Sequence, residues 1–343
     1  MPKTAAVKYI IKIVNIWRLS LRGRYFCDII EGVMNNLETV ETTKNKYTNR
    51  VWRVLLGALC CALWGSAFPG VKLGYQWLVV DGTGSQILFA GYRFTIAGIL
   101  TFIYGFIAEH EQMLVKLRNI PMMMIQGLFQ TCVAYIFFYI GLYHMTGSKS
   151  SIVNSTQVFF SLIFVGIFMR HQEKLTWQKW LACVIGFAGV IVVNMGSGSI
   201  GSDFSILGDG FILLGAVAFG ITNVTSKWVT EREGPVAVTA FQLTTGGLVL
   251  IIIGLLSGGS VTGFNTKGTI LFIYLAILST VAFILWTKLL KYNEASKISV
   301  YGFMTPVFGV LLSGLCLGET ILTITNFVAL VLVSIGVIIA NRD

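Results

Sequence analysis

Acidic and imidazole side chains are scarce here: 15 Asp and Glu and three His in 343 residues, with 12% charged residues in all. Ordinary globular chains carry roughly 25% charged residues, so the soluble two-domain protein that this length would otherwise imply is excluded. Cysteine is also sparse. Cys60, Cys61, Cys132, Cys183 and Cys316 lie inside apolar runs without zinc-like spacing, so they form no disulfide framework and read as small buried hydrophobes. A GxxxxGK[ST] loop is absent, which argues against nucleotide-driven pumping by this chain alone. The apolar runs also lack an Asp pair, His-Glu metal ligands or a Ser with a matching Lys or His. We therefore expect no catalytic residue, no cofactor and no metal.

What is abundant is hydrophobic sequence, 55% of the chain. Crossing a ~30 Å hydrocarbon core takes about 20 apolar residues of helix. Ten such runs are expected, at 52–71, 86–107, 121–143, 149–169, 177–195, 208–229, 236–257, 268–289, 297–317 and 322–340. Lipid offers no partner to an open strand edge, so each span must be a helix. The fold class is all-α integral membrane, and the partners are the bilayer and a small solute, with room for a homodimer.

The net charge of +10 invites a nucleic-acid reading, which placement rejects. Lys116, Arg118, Arg170, Lys174, Lys179, Lys227, Arg232, Lys288, Lys291 and Lys297 all fall in or beside alternate connections, and the opposite connections receive only Lys72, Lys149 and Lys267. By the positive-inside rule both termini face the cytoplasm, in a cell (plasma or inner) membrane. Residues 1–50 form a basic, polar tail, and Met34 offers an alternative natural start because a short leader from there runs into the first span.

The chain also repeats itself. At a shift near 148, Ser148-Lys149 falls on Ser296-Lys297, and the endings GVIVVN and GVIIAN superpose at a slightly smaller shift. Arg93 aligns with Gln242, and Ala62-Leu63-Trp64-Gly65 aligns with Val217-Ala218-Phe219-Gly220. We divide the chain into a first repeat at 51–195, a Gly/Ser linker at 196–207 and a second repeat at 208–341. Five spans per repeat, an odd number, place the halves upside down relative to each other. That is a frequent transporter architecture with its site near the midplane.

The order of a Trp-Gly span (Trp64-Gly65, then Lys72), an Arg-Phe span (Arg93-Phe94), a Ser-Lys turn (Ser148-Lys149) and a Glu-led closing span (Glu173…Gly186…Gly189) resembles the EamA family of the drug/metabolite transporter superfamily, over about residues 52–341. The resemblance implies a secondary transporter, an exporter or exchanger of small metabolites such as amino acids, working by alternating access. The alternatives are a sugar-phosphate or nucleotide-sugar transporter and a membrane helper subunit without transport. Family members often carry a Pro in the fourth span of each repeat. Here Pro306 is present in the second half, whereas the first has Thr156-Gln157-Val158-Phe159, so a kink is expected in one half only.

Arg93 is the one charge well inside a span and hence a candidate counter-ion for a substrate carboxylate. Its repeat mate Gln242 is expected beside it. Trp64, Tyr92, Tyr135, Phe219, Trp286 and Tyr301 are candidate walls of the same site, together with Phe68, Tyr139 and Phe241. Asn154, Gln157 and Asn223 are candidate polar contacts, because an amide in hydrocarbon seeks a partner or a cavity. Glu173 and Glu319 are expected to cap the closing helix of their own half. No Asp, Glu or His lies deep in a span, so a gradient-driven facilitator or exchanger is expected rather than a proton-coupled pump.

Overall fold

The computed structural model describes residues 46–196, 205–318 and 324–340. The tail before residue 46 with Met34, most of the expected linker, and Glu319 lie outside them. Ten long helices follow one another among the described residues: α1 Arg50–Trp77, α2 Gly82–Ala108, α3 Leu117–Tyr143, α4 Gly147–Phe168, α5 Trp177–Gly196, α6 Ile206–Arg232, α7 Pro235–Leu256, α8 Thr266–Tyr292, α9 Ala295–Leu317 and α10 Ile324–Ala340. Eight are long and apolar enough to cross a membrane by length and composition. The other two, α5 and α10, occupy the runs expected at 177–195 and 322–340. Large apolar side chains such as Ile107, Leu256 and Leu315 are exposed on the outside, as a lipid-facing surface requires.

Local chemistry sets the helix ends. Thr146, Ser205 and Asn265 start α4, α6 and α8 by accepting from Lys149 N, Gly208 N and Gly268 N, and Pro235 opens α7. The α1 helix runs on past its expected end at 71, through Pro69 and Lys72. Lys72 does not stop it, because its Nζ donates to Met145 O at the end of α3.

The fourth span of each half is broken at the same repeat position. In α9 the helix stops at Tyr301 and resumes at Met304, where Gly302 and Pro306 lie. In α4 it stops at Asn154 and resumes at Gln157 without any proline. There Ser155 Oγ donates to Ile152 O (2.6 Å) and Thr156 Oγ1 to Val153 O (2.7 Å), side-chain bonds that compete with the helical ladder. The expectation of a kink in one half only is therefore corrected.

Paired close contacts display the inversion directly. A Cβ on Gly65 of α1 would lie 2.6 Å from Phe308 Cβ of α9, and one on the mate Gly220 of α6 would lie 2.6 Å from Phe160 Cβ of α4. At the centre α2 packs along its own mate α7: Gly98 meets Thr244 while Gly247 meets Thr95. Each pair turns into the other when the repeats are exchanged, so the local two-fold axis passes through the α2–α7 contact. The two halves are inverted repeats.

Candidate functional site: a cavity between the halves

The broken spans and the first, second, third, sixth and eighth helices enclose a cavity. Its volume is about 60 Å³, on the measure by which one water needs roughly 10–15 Å³, so it holds several waters or one small solute. Of the expected residues, Arg93, Trp64, Tyr135 and Asn154 line it, as do Gln157, Phe219, Asn223 and Trp286. Phe68 joins them.

Arg93 is the one charged residue on this wall among the described residues, and it is 2% exposed. Its Nε donates to Leu275 O (3.1 Å) and Ser279 Oγ (3.0 Å) of α8, and Nη1 donates to Tyr139 Oη (2.8 Å) of α3. Neither Nη2 nor any carboxylate enters a bond with it among the described residues. The fork is thus held on one side by neutral groups and keeps donors for the cavity.

Around it, Trp286 Nε1 donates to Asn223 Oδ1 (3.1 Å), and Asn223 Nδ2 donates to Ser161 Oγ (3.0 Å), which fixes both wall residues. Three other polar atoms of wall residues are buried without a protein partner: Trp64 Nε1, Asn154 Oδ1 and Ser299 Oγ. Buried polar groups are nearly always hydrogen-bonded, so these three want water or a solute. The rest of the wall is aromatic, and Trp64 meets Phe283 and Trp286 edge-on at 5.6 and 5.0 Å between ring centres.

Five expected residues are placed elsewhere. Gln242 is fully buried on α7, does not line the cavity, and neither atom of its amide finds a partner among the described residues. It occupies the repeat counterpart of the Arg93 niche: where Arg93 meets Leu275 and Ser279, the Gln242 backbone packs on Gly127, repeat mate of Leu275 in α3. Tyr301 is buried off the wall, although its neighbour Gly302 lines it: its hydroxyl accepts from Arg53 Nε (3.3 Å) and its carbonyl from Cys61 Sγ (3.0 Å). Tyr92 is partly buried against the aromatic core behind Arg93. Tyr139 serves the site from behind, as a partner of Arg93, and Phe241 stacks edge-on against Phe102.

Sequence reasoning missed Gln130, which lines the cavity from a π-helical turn at Leu128–Val133 in α3 and accepts from Gln126 Nε2 (2.7 Å). The amide-in-hydrocarbon signal that singled out Asn223 applies to Gln130 equally. Ser299 and Thr305 were hidden by their type, because a hydroxyl in a span satisfies itself on its own helix in most settings.

The model of the EamA-like transporter family matches the chain at residues 51–195 and again at 206–342. An uncharacterized transporter of Archaeoglobus fulgidus is 29% identical over 293 residues, covering 85% of this chain and 98% of that protein. The uncharacterized inner membrane transporter YedA of Escherichia coli K12 is 26% identical, covering 78% of this chain and 84% of its own. A crystal structure with 18% identity superposes at a TM-score of 0.67 over 85% of this chain and 97% of the other, a likeness of fold.

Proposed function

The chain belongs to the EamA-like transporter family, and from that premise we propose that it is a secondary transporter that exports or exchanges small carboxylate-bearing metabolites such as amino acids by alternating access. Its relatives are described as transporters, and it is a multi-pass membrane protein. The observation that carries the finer reading is the Arg93 guanidinium, buried on the cavity wall without a counter-ion among the described residues. A carboxylate supplies the missing charge, and a guanidinium fork recognises it with two parallel bonds. Trp64 Nε1 adds a donor for the same group. Asn154 Oδ1 and the Ser299 hydroxyl can accept from an ammonium, and the aromatic wall takes the body of the solute.

Size and charge weigh against a sugar phosphate or nucleotide sugar. One cation faces a cavity with room for a few waters, whereas a phosphorylated sugar needs more space and more positive charge. The basic connections favour an orientation with both termini in the cytoplasm of a plasma or inner membrane.

Counterflow into proteoliposomes loaded with one solute tests this. Free amino acids are expected to exchange saturably, their methyl esters, which lack the carboxylate charge, to exchange at least tenfold more slowly, and sugar phosphates not at all. Equal exchange of acid and ester would remove the carboxylate from the reading. Exchange of sugar phosphates alone would replace it.

A further inference from the structure

A second concentration of buried charge lies away from the cavity, at the junction between α8 and α9. Helix α8 ends at Tyr292 and α9 begins at Ala295, so residues 293–294 link the open carbonyls of one helix to the open N–H groups at the start of the next. Charges from elsewhere in the chain meet both sets. Lys227 of α6 donates through Nζ to Leu290 O (2.8 Å), Lys291 O (3.2 Å) and Asn293 O (2.7 Å), which uses all three ammonium protons.

Glu173, in the connection between α4 and α5 of the first half, accepts from Ala295 N (2.6 Å), Ser296 N (3.0 Å) and Ser296 Oγ (2.8 Å) and is 5% exposed. It does not cap its own closing helix, the role expected for it, but a helix of the other half. The signs suit the helix ends: ammonium on carbonyls, carboxylate on N–H groups. Arg53 Nη1 donates to Asn293 Oδ1 (3.3 Å), and Lys179 of α5 pairs with Glu294. Lys179 and Lys297 hold the Glu294 carboxyl below its ordinary range although burial pulls it upward. Side chains of α1, the α4–α5 connection, α5 and α6 thus converge on six residues between Leu290 and Ser296, and both helices they hold contribute cavity wall through Phe283, Trp286 and Ser299.

We propose that Glu173 and Lys227 are gate residues: they hold the α8–α9 junction while this end of the cavity is shut, and their release lets the junction swing and open the cavity there. The partners make such a hold reversible. Each charge is bound by backbone dipoles, whose gain roughly offsets the loss of hydration, and opening at the membrane surface returns both charges to water. The Glu173, Glu231 and Glu294 carboxylates also attract Lys227 through space, but none forms a direct ion pair with it among the described residues. The opposite end carries the related part, since Lys72 is the repeat mate of Lys227, Met145 is the mate of Asn293, and Lys72 Nζ donates to Met145 O at the α3–α4 junction.

What the gate serves rests on the transport reading above, but accessibility reads the gate without any solute. Ser299 lines the cavity one turn into α9 and is 1% exposed, so Ser299→Cys is the reporter. Sealed vesicles of both orientations are treated with a membrane-impermeant maleimide, and the chain with native Ser299 gives the background from Cys316, which is exposed. Glu173→Gln and, independently, Lys227→Met are each expected to raise labelling from the junction's end at least tenfold. Lys72→Met is expected to leave labelling from that end unchanged. Unchanged labelling in a monodisperse Glu173→Gln or Lys227→Met protein overturns the proposal, as does an equal rise with Lys72→Met. Should Glu173→Gln fail to fold, Lys227→Met decides alone. Absence of solute exchange by the native chain, with the labelling shift intact in the variants, counts against the transport reading and leaves the gate standing.

Discussion

Replacing Arg93 with Met separates what the residue does for the fold from what it does for a solute. Arg93→Met removes three hydrogen bonds donated by a charged group, each worth about 1.5–3 kcal/mol. It also removes the cost of keeping a guanidinium away from water, which is several kcal/mol for a buried ion. Met fills similar volume, and although Leu275 O and Ser279 Oγ lose the Arg93 donor they keep their bond to each other (3.0 Å), so only Tyr139 Oη is left without a replacement. The two terms nearly cancel, and thermal stability in detergent should stay within about 2 kcal/mol of the native chain. Transport has no such compensation. Truncating one partner of a buried charge pair costs about 2–5 kcal/mol, which is roughly 30- to 5,000-fold in apparent affinity for a carboxylate solute. Half-saturation in counterflow, read beside a melting curve, checks both numbers. Native exchange in a folded Arg93→Met protein would refute the counter-ion reasoning. A loss of more than about 4 kcal/mol in stability would show that the fork is there to tie α2, α3 and α8 together.

Three further outcomes are expected. Gly98→Ala and Gly247→Ala press a methyl group against Thr244 and Thr95 at the two-fold contact, and each should cost about 1–3 kcal/mol in thermal stability, by similar amounts because the sites are repeat mates. Asn223→Leu leaves Trp286 Nε1 unpaired at the cavity wall and should cost about 1–3 kcal/mol, with a weaker half-saturation in counterflow. Pro306→Ala should leave counterflow within about threefold, because α4 breaks at the matching position without proline; a large loss would tie the α9 break to the ring itself.

The spans were legible because a bilayer demands long apolar runs, and hydropathy is a local property of the sequence. The duplication was legible for a related reason: Trp64-Gly65 and Ser148-Lys149 leave copies at nearly fixed shifts. The unread features share another origin, in contacts between distant segments. Glu173 sits four residues ahead of α5 and reads as its cap, yet its acceptors are satisfied more than a hundred residues away. Gln242 was placed with Arg93 because the two align. They do occupy matching niches, but symmetry puts those niches on opposite sides of the axis, so only one of them opens on the cavity. The break in α4 was overlooked because proline is a conspicuous signal, whereas Ser155 and Thr156 act through bonds to carbonyls three residues back.

Inversion also explains why the two ends can share a plan and differ in chemistry. A residue pair such as Lys72 with Met145 reappears as Lys227 with Asn293, and odd span number carries the copy to the other end. Each end then meets its own surroundings. The end at the α8–α9 junction lies among basic connections, and there Thr146 is replaced by its mate Glu294, which draws in Lys179 and Lys297. The other end keeps the neutral Thr146 cap on Lys149 N, and its ionic contact is Lys149 with Asp209 at 2.9 Å. The Glu294 carboxylate is 42% exposed, while that of Asp209 is 8% exposed. Salt screens exposed pairs far more than buried ones. Raising ionic strength therefore loosens the α8–α9 junction more than its counterpart and biases the molecule toward opening at the basic end, an asymmetry that the duplicated backbone alone would not produce.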